Sequence, residues 1–136
     1  MEKAIFIDSG AWVALADIRD QFHSDAVGVY SQVLQQWKYQ VTTDLVIAEA
    51  YNMIRRRLGH TAGIRFLESL RKSSRLIKIY CDAALEIQAE AILRRYSDQD
   101  FSFADAVSFA VMQERGITEA FAFDQHFRTA GFALLP

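Results

Sequence analysis

The chain has 136 residues, 51% of them apolar and 24% charged, with a net charge of -2, so it has the size of one domain, residues 1–136, and can bury a sizeable core. A single cysteine, Cys81, excludes an internal disulfide framework, and no apolar run approaches the ~20 residues of a membrane span. The slight acidity argues against a general nucleic-acid coat protein, and the apolar stretch after Met1-Glu2-Lys3 is too short for a signal peptide, so a cytoplasmic location is expected.

In chain order, Ala4-Ile5-Phe6-Ile7 has the continuous apolar character of a strand buried on both faces, as in parallel sheets. Asp8-Ser9-Gly10 ends it, and Ala11 to Ala16 reads as a helix. Asp8 therefore falls at the carboxyl end of a strand, the edge at which open parallel sheets hold their ligands. A plain helix N-cap is the structural alternative for this residue. His23 to Lys38 carries Ala26, Val29, Tyr30, Val33, Leu34 and Trp37 at helical spacing, an amphipathic helix whose aromatics belong to the core.

Tyr39 to Thr42 is a second short strand, and Thr43 or Asp44 opens a helix that continues through Ile54. Glu49 lies inside it among largely apolar residues, where a solvent-facing glutamate is the plain alternative to a site residue. Gly59 ends this helix, and Thr61 to Ser73 forms another. From Arg55 to Lys78 there are eight bases (Arg55, Arg56, Arg57, Arg65, Arg71, Lys72, Arg75, Lys78) against one acid, Glu68. Singly these suit a solvated helix face, and Arg55 to Arg57 also suit a helix C-terminus. As a group they can track a phosphate backbone, with Arg55, Arg56 and Arg65 as the candidate contacts.

Leu76 to Tyr80 is a third strand, and Asp82 caps a helix from Ala83 to Tyr96. After the polar loop Ser97 to Asp100 comes Phe103 to Met112, a helix with apolar residues on nearly every side and Asp105 in its first turn. Ser102 and Asp105 have the spacing of a capping box, and Gly116 stops the helix. An ionised Asp105 in such a central helix is costly to bury without a partner, and no Lys or Arg lies within one turn. Ala120 to Phe123 is a fourth buried strand with Asp124 at its carboxyl end, and Phe132 to Leu135 can form a short edge strand. Strands alternating with helices give an α/β sandwich around a parallel sheet.

Right-handed crossovers place all carboxyl ends of such a sheet on one edge, so Asp8 and Asp124 share it. The central helix starts on the same side and brings Asp105. Glu49 joins if its helix turns an inner face toward the first strand. Three or four carboxylates this close cannot all ionise without a cation, which is how hard-metal sites are built.

With these residues in place, the chain resembles the PIN-domain ribonucleases, and within them the VapC-like toxins of bacterial and archaeal toxin-antitoxin pairs. The resemblance rests on Ile5-Phe6-Ile7-Asp8-Ser9, Ile47-Ala48-Glu49, Ser102-Phe103-Ala104-Asp105-Ala106 and Phe123-Asp124-Gln125-His126-Phe127, four stretches in register from end to end. It implies a three-layer α/β/α sandwich around a short, mainly parallel sheet. It further implies that Asp8, Glu49, Asp105 and Asp124 form an acidic site binding Mg2+ or Mn2+ for RNA cleavage, with Asp8 and Asp105 as metal ligands and Ser9 and Ser102 in support. A homodimer is implied as well, together with a cognate antitoxin whose basic tail blocks the site. In such chemistry the carboxylates hold metal and position water and are not nucleophiles. His23 and His60 look like surface or helix-end residues, and His126 a loop residue with a structural hydrogen bond. A housekeeping RNA-processing nuclease and a non-catalytic RNA- or protein-binding module are the rival readings.

Overall fold

The computed structural model describes residues 3–136; Met1 and Glu2 lie outside the described residues. Five strands form one sheet: β1 (Ala4–Ile7), β2 (Tyr39–Thr43), β3 (Leu76–Ile79), β4 (Glu119–Phe121) and β5 (Ala133–Leu135). Seven helices connect them among the described residues: α1 (Ser9–Ala16), α2 (His23–Gln36), α3 (Asp44–Leu58), α4 (His60–Lys72), α5 (Ala83–Arg95), α6 (Phe103–Arg115) and α7 (His126–Thr129).

Every strand pairing is parallel, in the order β3-β2-β1-β4-β5. Each connection is a helical crossover, as a parallel sheet requires, and the outcome is the three-layer sandwich that the alternation of strands and helices predicts. Ile5, Phe6 and Ile7 are wholly buried, in keeping with a central strand covered on both faces. Its neighbours are β2 on one side and β4 on the other, so the order of strands reverses at β1. That reversal opens a crevice between the outgoing connections of β1 and β4, the place where doubly wound sheets put their sites. Asp8 leaves β1 there, and Asp124 follows β4.

Local chemistry sets the helix ends. Thr43 closes β2 and caps α3, its side chain accepting from the Val46 amide at 3.1 Å, while the neighbouring Thr42 hydroxyl donates to the Ile7 carbonyl at 3.0 Å. Asp82 caps α5 through the Leu85 amide, as the sequence predicts. Gly116 ends α6 with φ +66°, a left-handed turn that favours glycine, and the Ile117 amide then closes back on the Met112 carbonyl at 2.9 Å. The eight residues from Asp105 to Met112 are all buried, so α6 is the central helix its composition predicts. Phe109 meets Phe101 and Phe127 edge-on with ring centroids 5.0 Å apart, which ties α6 to the segments on either side of the site.

The structure differs from the sequence reading at two places near the site. The fourth strand ends at Phe121, so Ala122 and Phe123 belong to the connection, Ala122 buried and Phe123 half-buried. Residues 126–129, read as a loop, form the short helix α7. A carboxylate of Asp124 accepting from the His126 amide at 2.9 Å turns the chain into it.

Candidate active site

Four acids line one open cleft of about 290 Å³: Asp8, Glu49, Asp105 and Asp124, with Met53 and Phe123 as its apolar walls. They reach it from four different elements. Asp8 stands at the N-cap position of α1, yet its side chain makes no capping hydrogen bond, so the plain N-cap alternative does not account for it. It is buried, and its pKa is pushed up to about 7. Desolvation is the largest cause, the Ser9 amide opposes it, and the charges of Asp105, Asp124 and Glu49 add to it.

Glu49 projects from the second turn of α3. The buried Ser9 hydroxyl donates to its Oε1 at 2.6 Å, which fixes an otherwise exposed side chain at the cleft. Asp105 lies in the first turn of α6 and completes a reciprocal capping box: its Oδ2 accepts from the Ser102 amide at 3.0 Å, while the Ser102 hydroxyl accepts from the Asp105 amide at 3.0 Å. His126 Nδ1 reaches the same Oδ2 at 3.1 Å. Both contacts fall on Oδ2, so Oδ1 is the oxygen left for a ligand. Burial raises the Asp105 pKa; the Ser102 amide and the His126 hydrogen bond oppose the rise, and the Asp124 charge adds to it.

His126 is the site neighbour that the sequence reading left aside. Its Nδ1 is 3.4 Å from Asp124 Oδ1 as well, and its ring meets Phe101 edge-on. Partial burial works against its charged form, but the Asp105 hydrogen bond and the charges of Asp124, Asp105 and Asp100 outweigh this and raise its pKa. Ligand atoms of Asp105, Asp124 and His126 all lie within 4.8 Å of one another, close enough to hold a metal ion together. Asp8 and Glu49 line the same cleft without belonging to that group. The sequence signal for His126 was its place two residues after Asp124, the spacing of a side-chain-to-amide turn.

The donor set fits a hard divalent cation. It is rich in carboxylate oxygens, the ligands that Mg2+ and Mn2+ prefer, and it contains a buried acid whose ionisation the protein groups alone disfavour.

The members of the basic segment have different surroundings. Arg57 is held by Asp20 at 2.8 Å and by the buried Asp17 at 3.3 Å, and Arg75 donates to the Leu34 carbonyl at 2.6 Å. Helical periodicity puts Arg56 on the stripe of Glu49 and Met53, about two turns beyond Glu49, whereas Arg55 lies about a third of a turn away. Arg65 lines a separate groove with Trp12, Leu58 and Phe66. Of Arg55 and Arg56, it is Arg56 that shares the helix stripe of Glu49.

The PIN domain pattern matches residues 5–133. The chain belongs to the PIN-domain family. It is 35% identical over 128 residues to the 23S rRNA-specific endonuclease VapC20 of Mycobacterium tuberculosis, covering 94% of this chain and 95% of that protein. The crystal structure of VapC20, described as a sarcin-ricin loop cleaving toxin, superposes with a TM-score of 0.86 at 34% identity over 95% of this chain and 96% of that one. VapBC2 from Rickettsia felis, solved with a promoter DNA fragment, shares the fold at a TM-score of 0.70 and 10% identity, with 96% of each chain covered. In this PIN domain the four acids, Ser9 and Ser102 occupy the stretches on which the resemblance was recognised. No helix is long and apolar enough to cross a membrane among the described residues.

Proposed function

We propose that this PIN-domain protein is a Mg2+- or Mn2+-dependent endoribonuclease acting in the cytoplasm as the toxin of a toxin-antitoxin pair, with residues 1–136 as its single nuclease domain. The observation that carries the reading is the convergence of Asp8, Glu49, Asp105 and Asp124 on one cleft at the switch point of the sheet. The 35% identity to VapC20 over nearly the whole chain supports RNA as the substrate and makes 23S rRNA, with its sarcin-ricin loop, the first RNA to test. A cognate antitoxin and a homodimer are the expected partners of a VapC-like chain.

Asp8 and Asp105 would hold the cation, with Asp124 lining the same cleft. A divalent cation held there would supply charge neutralisation at the scissile phosphate and activation of water. The protein's own contribution is positioning. Ser9 orients Glu49, which is placed to accept a proton from an attacking water. Ser102 and His126 restrain one oxygen of Asp105 and thereby orient the other.

The test is incubation of the purified protein with end-labelled 23S rRNA fragments containing the sarcin-ricin loop, with Mg2+, with Mn2+ and with chelator. Discrete cleavage that needs the divalent ion is the expected result. Intact RNA under all three conditions, from a protein shown to be folded, would contradict the reading.

A further inference from the structure

Two concave surfaces meet along α3: Glu49 and Met53 face the acidic cleft, while Ile47 faces a second groove of about 480 Å³ on the side of the edge strand β3. Strand alternation sends Leu76, Lys78 and the following Tyr80 to one face of the sheet. There α4 contributes Leu67, Leu70 and Arg71 to the same groove. Its lining is apolar with two bases and no acid, in a chain whose net charge is -2. Arg57 and Arg75 of the same basic segment are engaged elsewhere, whereas Arg71 and Lys78 line the groove.

Tyr80 is 65% exposed, and the Lys78 ammonium sits 4.8 Å from its ring centroid. Its backbone is braced, because the next amide, of Cys81, donates to Asp44 Oδ1 at the start of α3 at 3.0 Å. Register places its backbone on the same sheet edge as Asp8. Phe6 pairs with Val41 and Val41 with Ile77, so Thr43 and Ile79 stand level with Asp8, and Tyr80 follows on the same edge. Two inter-strand steps, ~10 Å, separate its strand from the one that carries Asp8.

An exposed aromatic ring with an ammonium against it and a second base in the same groove is suited to a nucleic-acid strand. Unpaired bases stack on such rings with little regard to sequence, and the neighbouring bases meet phosphates. We propose that the Tyr80-Lys78-Arg71 groove binds the unpaired RNA that flanks the scissile phosphate, a base stacking on Tyr80 while Lys78 and Arg71 meet the backbone. The proposal rests on RNA being the substrate. It adds a binding subsite on the opposite side of α3 from the acids.

The test is fluorescence anisotropy with a labelled sarcin-ricin loop RNA and a labelled unstructured oligoribonucleotide at two salt concentrations, beside single-turnover cleavage and sedimentation. Tyr80→Ala is expected to weaken binding of both RNAs about tenfold, Tyr80→Phe to restore it, and Lys78→Ala to reduce the salt dependence. At saturating RNA, Tyr80→Ala should cleave within about twofold of wild type, so the loss falls on KM. Tyr80 is on the surface, and its substitution leaves the core intact. Wild-type affinity in Tyr80→Ala would overturn the proposal, as would dissociation of an oligomer by Tyr80→Ala with RNA binding unchanged, which would make the groove an interface between copies. Failure of the nuclease reading is distinguishable: the wild-type protein would then cleave neither RNA, whatever Tyr80→Ala does to binding.

Discussion

The Ser9 hydroxyl donates to Glu49 Oε1 at 2.6 Å, joining the first turn of α1 to the second turn of α3 across 40 residues of sequence. Glu49 is otherwise exposed, and a glutamate side chain free to rotate would spend much of its time away from the cleft. Ser9→Ala is therefore expected to lower single-turnover cleavage about tenfold at saturating RNA while costing about 1 kcal/mol of stability. Rapid-quench cleavage together with urea unfolding checks both numbers. Unchanged cleavage would mean that Glu49 needs no tether.

The Asp8 pKa of about 7, against 3.8 for a free carboxyl, makes metal-free stability depend on pH. The folded state holds this proton more tightly than the unfolded state. Its contribution is thus complete below about pH 4 and is lost as pH rises to about 7, by on the order of 1 kcal/mol per pH unit. The raised pKa of His126 acts in the same direction near neutrality. In chelator, the melting temperature should fall between about pH 5 and pH 7, and Asp8→Asn should flatten most of that slope. Mg2+ or Mn2+ should raise the melting temperature of the wild type most at the upper end, where the proton no longer competes for the carboxylate.

Much of this arrangement is legible in the sequence, for identifiable reasons. The buried strands are unbroken apolar runs, and the sharpest boundaries coincide with residues whose side chains or backbone do the work: Thr43, Asp82, Ser102 and Gly116. Asp8 and Asp105 stood out because a carboxylate beside a continuous apolar stretch needs a reason to be there. His126 did not, because its contact with Asp105 crosses 21 residues and depends on α7, whose four residues are too few to show a helical period. Glu49 was undecided for a related reason, since its tether to Ser9 is tertiary. The members of the basic segment have different neighbours once the helices are packed, Arg57 meeting Asp17 and Asp20, Arg75 the Leu34 carbonyl and Arg65 the groove beside Trp12, which a count of charges does not show.

His126→Ala removes a donor from Asp105 Oδ2 and a neighbour of Asp124. Loss of such an outer partner of a metal-holding carboxylate typically weakens metal affinity 10- to 100-fold. The expected result is a Mn2+ titration of cleavage shifted to about tenfold higher concentration, with the rate recovered at saturating Mn2+. A rate that stays low at every Mn2+ concentration would assign His126 a direct part in the chemistry.

Arg56 and Arg57 are adjacent in sequence and should behave differently. Arg56→Ala, on the stripe of Glu49 and Met53, should weaken RNA binding and reduce the salt slope by about one while leaving the melting temperature unchanged. Arg57→Ala leaves the buried Asp17 without its ion-pair partner and should cost about 1–3 kcal/mol of stability with little effect on the salt slope. Salt-dependent binding titrations and thermal melts of the two variants separate these roles.

If the acidic cleft is the metal-dependent active site for RNA, Asp8→Asn and Asp105→Asn separate cleavage from binding. Single-turnover cleavage of the labelled sarcin-ricin loop RNA with Mn2+ is run beside anisotropy binding of the same RNA. Both variants are expected to lose cleavage by at least about 100-fold while binding RNA within about threefold of wild type, because they remove transition-state stabilisation and leave the basic surface intact. Wild-type cleavage by either variant, with contaminating nuclease excluded, would show that the chemistry takes place elsewhere.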